Sequence, residues 1–278
     1  MKVVVTTDFS DNSKKGILFA LQLSKQTNCE LVFYHVIQLY QPAIWDNVYY
    51  NVYQQDEVGR ASKTLENFVH AILLEKNIDN IDYLCVCEIG VSNSNQIIEF
   101  AKTQNAKYLC LSTSGGGKIL QILGTTASEL IAFSPIPVFV IPQYYNPSFI
   151  KKIFFASDFK NFESELHTIK SFSDTINAKI DVFHFEYKKI LDGEQHDFEV
   201  LKNKFSSSDV KFHLRSLTSD ETMLKQIESE IFEQNPSLVV MFTKQNRNWF
   251  DRLFLSSLST ELALDDNAPF LIFKKDEV

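Results

Sequence analysis

The sequence predicts an α/β protein of two tandem, doubly wound, parallel five-stranded sheets flanked by helices. Three observations predict it. The chain has 278 residues, more than one hydrophobic core usually serves. In each half, apolar runs of strand length alternate with longer segments of helical period, the pattern of parallel strands joined by crossover helices. Finally, the two halves repeat each other, and internal repetition constrains a fold before any motif does.

The repeat is legible at three places. Lys2-Val3-Val4-Val5-Thr6-Thr7-Asp8-Phe9-Ser10 aligns with Lys152-Ile153-Phe154-Phe155-Ala156-Ser157-Asp158-Phe159-Lys160, a β-run ending in Asp-Phe. The segment from Cys29 to Val36 matches that from Ala178 to Phe185, with His35 opposite His184. The run from Pro135 to Ile141 corresponds to that from Asn267 to Phe273, a short apolar strand reached through a proline. Each half is therefore one complete unit, with boundaries at 1–142 and 150–278 and a link from Pro142 to Ile150.

Taken in order, the first half reads as strands near 2–6, 30–36, 81–87, 107–112 and 137–141, with helices near 11–27, 57–77, 93–104 and 125–133. The second reads as strands near 152–156, 179–185, 210–215, 238–242 and 269–273, with helices near 161–176, 196–206, 219–234 and 256–264. Continuous runs such as Val3-Val4-Val5 and Leu238-Val239-Val240-Met241 fit strands buried on both faces. The segment 37–55 is longer than its counterpart and carries Tyr40, Trp45, Tyr49, Tyr50 and Tyr53. It reads as a lid or interface, or equally as a flap packed over the sheet edge.

Composition excludes several classes of function. A formal charge of −8 argues against a broad nucleic-acid footprint, which needs clustered Lys and Arg. No apolar run approaches the roughly 20 residues of a membrane span. Met1 to Ser10 lacks the basic start and long apolar stretch of a signal peptide, so a cytoplasmic location is expected. Cys29, Cys85, Cys87 and Cys110 lie in or beside predicted strands and read as reduced packing residues; Cys85 and Cys87 share a face but lack further metal ligands nearby.

In an open doubly wound sheet, ligands bind beyond the carboxyl ends of the strands, at the switch point. Three such loops converge in the first half: Thr6-Thr7-Asp8, the segment from Val36 onward, and Ser112-Thr113-Ser114-Gly115-Gly116-Gly117. Gly124-Thr125 then opens a predicted helix, where free N–H groups and the helix dipole favour an anion, and triple glycine lets backbone approach phosphate. A Walker A loop is excluded because Ile119 follows Gly117-Lys118, and Leu120 interrupts a dinucleotide fingerprint. Plainer readings stand beside these: Asp8, Ser10 and Asn12 lie where a helix cap belongs, and Thr126 and Glu129 have capping-box spacing. His35 and His184 read as core-edge histidines, since no acid or nucleophile sits at a suitable spacing.

These features resemble the universal stress protein family over nearly the whole chain, twice. The likeness includes the Thr7-Asp8-Phe9-Ser10 ending of strand 1, the His35-Val36 ending of strand 2, the Glu88-Ile89-Gly90 turn and Pro135-Ile136-Pro137-Val138. ATP-binding members carry Gly-x2-Gly, nine residues, then Gly-Ser/Thr after strand 4. Here Gly124-Thr125 fits the end of that motif, while the two earlier glycines fall on Leu111 and Ser114. The resemblance implies a Rossmann-like fold and a stress-response regulator that binds ATP or another adenine nucleotide, with Mg²⁺ as a possible companion, without catalytic turnover. It implies that Asp8 and Val36 line the adenosine pocket and that the backbone of Ser114, Gly115, Gly116 and Gly117, with Thr125, holds phosphates; Thr6, Thr7, Ser112 and Gly124 are the remaining residues expected at the nucleotide site. It implies as well that two units pair through their fifth strands, so that this chain forms its own pseudo-two-fold dimer, with a homodimer as a further option. In the second half the matching loop reads Phe242-Thr243-Lys244-Gln245-Asn246-Arg247-Asn248-Trp249-Phe250, without glycine and with Ser256-Ser257 in place of Gly-Thr, so no nucleotide site is expected there. The alternative for the whole chain is a protein-interaction module of the same family that binds no nucleotide.

Overall fold

A computed structural model describes residues 1–113, 125–187, 192–217, 222–243 and 268–275. The first half runs β1 (Lys2–Thr6), α1 (Ser13–Thr27), β2 (Glu30–Ile37), α2 (Asn47–Glu75), β3 (Tyr83–Ile89), α3 (Asn93–Thr103), β4 (Tyr108–Ser112), α4 (Thr125–Phe133) and β5 (Val138–Ile141). The second runs β6 (Lys152–Ala156), α5 (Phe162–Ile176), β7 (Lys179–Tyr187), α6 (Asp192–Phe205), β8 (Val210–Leu217), α7 (Met223–Gln234), β9 (Leu238–Thr243) and β10 (Phe270–Lys274). The helix expected at 256–264 lies outside the described residues.

The strands form one sheet in the order β3-β2-β1-β4-β5-β10-β9-β6-β7-β8. Within each half every ladder is parallel, and the halves join where β10 runs antiparallel to β5, with Leu271 opposite Phe139. Side chains alternate across the sheet, so both faces are buried. Val3, Val5, Phe33 and Cys110 pack on one face with α1, α2 and α5. Val4, Val32, Leu109 and Leu111 pack on the other with α3, α4 and α7. The first core crosses the junction between halves: the Phe172 ring lies 5.6 Å from Tyr108 and 5.9 Å from Phe139. The connecting segment is pinned to α1, where Tyr145 donates its hydroxyl to Gln22 (3.2 Å) and Lys15 donates to the Tyr145 carbonyl (3.0 Å).

One expected helix is much longer than its sequence suggests. The helix predicted at 57–77 begins at Asn47, so part of the segment read as a lid or flap is helix. Asp46 supplies the cap, its carboxylate accepting the Tyr49 N–H at 2.7 Å. Likewise α6 starts at Asp192, before the expected 196, whereas α7 starts at Met223, later than the expected 219, because Thr222 caps it through the Lys225 N–H.

Candidate functional site

Strand order places a switch point in the first half between β1 and β4, whose successors depart in opposite directions. A cleft of about 240 Å³ opens at the carboxyl ends of these strands. Of the residues expected at a site, Thr6, Thr7, Asp8, Val36 and Ser112 all line it. Ser114, Gly115, Gly116, Gly117 and Gly124 lie outside the described residues, and Thr125 opens α4. The cleft also recruits residues that the sequence did not single out as ligands: Asn93 and Ile97 from α3, Tyr34 and His35 from β2, and Ala127 and Leu130 from α4. Asn93 and Ile97 are four apart at the start of a helix that follows a strand, and that spacing was the available signal.

The turn after β1 is built by its own side chains. Thr7 accepts the Phe9 N–H (3.1 Å) on Oγ1, and that hydroxyl lies 2.8 Å from Ser13 Oγ. The Asp8 carboxylate accepts both the Ser10 N–H (3.0 Å) and the Ser10 hydroxyl (2.5 Å), so it closes an Asx turn and does not cap α1. Phe9 takes φ 65, a left-handed conformation unusual for a bulky residue, and its ring lies 4.3 Å from His35. Partial burial works against the Asp8 charge, but the Ser10 hydrogen bonds outweigh it and hold the carboxyl below its ordinary value. The His35 ring is oriented by the Thr7 carbonyl, 2.8 Å from Nδ1. Together these contacts present an ionised, exposed carboxylate at the cleft mouth.

The floor and far wall are equally specific. Ser112 Oγ accepts the Gly16 N–H at 2.8 Å. Gly16 is required there, since a Cβ on it would stand 2.7 Å from that oxygen. Tyr34 stacks on Phe100 at 3.9 Å and donates its hydroxyl to Glu88 (2.9 Å), which also accepts from Gln96 (2.9 Å). Burial first, and the Glu88 carboxylate second, push the Tyr34 phenol well above its ordinary value, so it stays neutral. Glu129 accepts the Ser94 hydroxyl at 2.5 Å, tying α3 to α4 across the cleft. Backbone geometry adds a further feature. The Tyr34 carbonyl faces β1 and accepts the Thr7 N–H at 3.1 Å, whereas the Ile37 carbonyl faces away, accepting Gly90 N–H at 3.0 Å. By strand alternation the N–H and C=O of Val36 face the β1 side, beyond the last residue of β1.

In the second half the acid after the first strand is engaged from within the chain. Asp158 and Phe159 repeat the turn, with Phe159 at φ 62 and its N–H on Ser157 Oγ at 3.1 Å. Here, however, Lys275, only 7% exposed, places Nζ 2.5 Å from Asp158 and 3.3 Å from Glu165. Burial disfavours the ammonium, yet Asp158 and Glu165 hold its pKa above the ordinary lysine value. Where β4 carries Ser112 beside Ile141, β9 carries Phe242 beside Phe273, and those two rings stack at 4.9 Å. Beside α7, Arg215 and Glu230 line a second cavity of about 210 Å³ and pair with each other, Arg215 donating to both Glu230 oxygens at 2.6 and 2.7 Å. Among the described residues no cluster of His, Cys, Asp and Glu could hold a metal ion, all four cysteines are free thiols, and no helix is long and apolar enough to cross a membrane.

The fold and cleft define a class: a doubly wound α/β protein with a polar strand-end cleft at its switch point. The model of the universal stress protein family matches residues 1–142. The chain belongs to the universal stress protein family. Comparison with curated proteins finds no match. Among solved structures, a universal stress protein from Archaeoglobus fulgidus superposes with a TM-score of 0.70 at 16% identity, covering 99% of this chain and 98% of that one. A putative universal stress protein from Pseudomonas aeruginosa gives 0.60 at 11% identity, covering 98% and 92%. At such identities the likeness is one of fold.

Proposed function

We propose that this chain is a stress-response regulatory protein that binds an adenine nucleotide, ATP in the first instance, in its first half and performs no turnover on it. The observation that carries the reading is the pairing of Asp8 with the Val36 backbone across one cleft. An adenine edge offers one donor and one acceptor, which the Val36 C=O and N–H complement. A ribose offers hydroxyl donors, which an ionised Asp8 accepts. The phosphates would run toward the glycine-rich stretch and the N-terminus of α4, the position that suits an anion. Among the described residues, no side chain lining the cleft supplies an activated nucleophile, and binding is the proposed activity.

Residues 1–142 and 150–278 are taken as two domains of one family, the second structural. Lys275 supports that division of labour, because it satisfies Asp158 with the chain's own ammonium and leaves that acid no ligand to recruit. The test is direct titration with a fluorescent ATP analogue. Asp8→Asn is expected to weaken binding by about 10-fold or more, the worth of a charge-assisted hydrogen bond, while Asp158→Asn leaves it unchanged. Equal affinity in the wild type and Asp8→Asn would reject the site.

A further inference from the structure

We propose that the N-terminal arm of α2, with the residues leading into it, is a self-association face through which two copies of this chain pair. At 29 residues α2 is about 43 Å long, whereas the strands it crosses have seven and eight residues and span about 25 Å. Its buried residues, Leu65, Val69, Ile72 and Leu73, all lie in its second half. The first turns therefore hold no buried residue, and they carry several exposed apolar side chains. Tyr40, Ile44, Val48, Tyr49 and Val52 are 54% to 90% exposed. Behind them, Trp45 packs edge-on against Tyr49 (4.8 Å) and Tyr53 (5.0 Å), so the arm has a rigid aromatic backing of its own.

Three features select a second copy as the occupant. From the side chains named, the patch exposes roughly 700 Å², above the largest patch of an ordinary monomer and close to the ~800 Å² that each partner contributes to a stable complex. Between Tyr40 and Gln55 the only charged residue is Asp46, already engaged in the cap, so the face offers no charge pattern for a charged partner to read. Val48 and Val52 lie four residues apart on one face of the helix, with Ile44 in the turn that precedes the Asp46 cap, and this face packs on its own two-fold copy as an antiparallel helix pair. The equivalent helix α6 has 14 residues, so each chain carries one such arm and association closes at the dimer.

The test is sedimentation velocity of the full-length protein without nucleotide, from about 1 to 200 μM. The expected result is a reversible monomer–dimer equilibrium at micromolar concentration. Val48→Lys/Val52→Lys should weaken it by about 30-fold or more, with an unchanged far-UV spectrum, since both side chains are exposed. Phe232→Lys, at an exposed site on α7, should leave dimerisation unaltered. A protein that stays monomeric at 200 μM overturns the proposal, as does a dimer indifferent to the double substitution. So does a monomer whose arm residues are needed only for binding phosphatidylcholine–phosphatidylglycerol vesicles.

Discussion

Replacing Gly16 by alanine should change stability in opposite directions depending on one oxygen. A Cβ at residue 16 meets Ser112 Oγ at 2.7 Å, while the next atoms, Ser112 N at 3.6 Å and the Leu111 carbonyl carbon at 3.7 Å, are ordinary contacts. Ser112 must rotate away, stranding the Gly16 N–H that it accepts at 2.8 Å, a loss of about 1–3 kcal/mol. Alanine returns about 1 kcal/mol over glycine in a helix. The net expectation is a loss of about 1 kcal/mol, or a melting temperature about 2–4 °C lower. In a Ser112→Ala background the obstructing oxygen is gone, and Gly16→Ala should stabilise by about 1 kcal/mol. Guanidinium denaturation of the four proteins measures the coupling, expected near 2 kcal/mol. If Gly16→Ala stabilised both backgrounds equally, the account of the cleft floor would be wrong.

Two ionic groups in the second half carry further predictions. Lys275→Met should destabilise by about 3 kcal/mol at pH 7, because it leaves buried Glu165 without its cation. Burial already holds the Glu165 carboxyl above its ordinary value, so the loss should shrink as pH falls toward 5 and be recovered by adding Glu165→Gln, as denaturation at the two pH values would show. Glu230 behaves oppositely: the Arg215 hydrogen bond holds its carboxyl below the ordinary 4.5, so its contribution is present above that pH and disappears as pH falls through the lowered value. Arg215→Met should therefore cost about 2 kcal/mol at pH 7, discounted for the partly exposed guanidinium, and progressively less as pH falls below 4.5; a loss that does not shrink on acidification would contradict the pairing.

Much of the architecture was readable from residues because the repeat placed equivalent strands twice. Asp8 and Asp158, and His35 and His184, fell on the same strand ends, and alternating burial needed only the apolar runs. The start of α2 was hidden by local propensity: Val48-Tyr49-Tyr50 and Val52-Tyr53 are β-type residues and Gly59 lowers helix propensity in the middle of the segment, while the decisive signal was the single cap at Asp46. The roles of Asp8 and Asp158 could not be separated by sequence, since Lys275 reaches Asp158 across 117 positions. The left-handed turns at Phe9 and Phe159 were equally invisible, because nothing about phenylalanine advertises positive φ. Ser112 was placed at the cleft by its strand end, but its partner Gly16 is set by helix-on-sheet packing 96 positions away.

The central claim is one nucleotide site per chain, in the first half. Isothermal titration of the full-length protein with ATP, with and without Mg²⁺, tests it most directly. A stoichiometry of one, with affinity weakened about 10-fold or more in Asp8→Asn and unchanged in Asp158→Asn, is the predicted result; two sites per chain would contradict a non-binding second half, and no binding heat at several temperatures would contradict the nucleotide site itself.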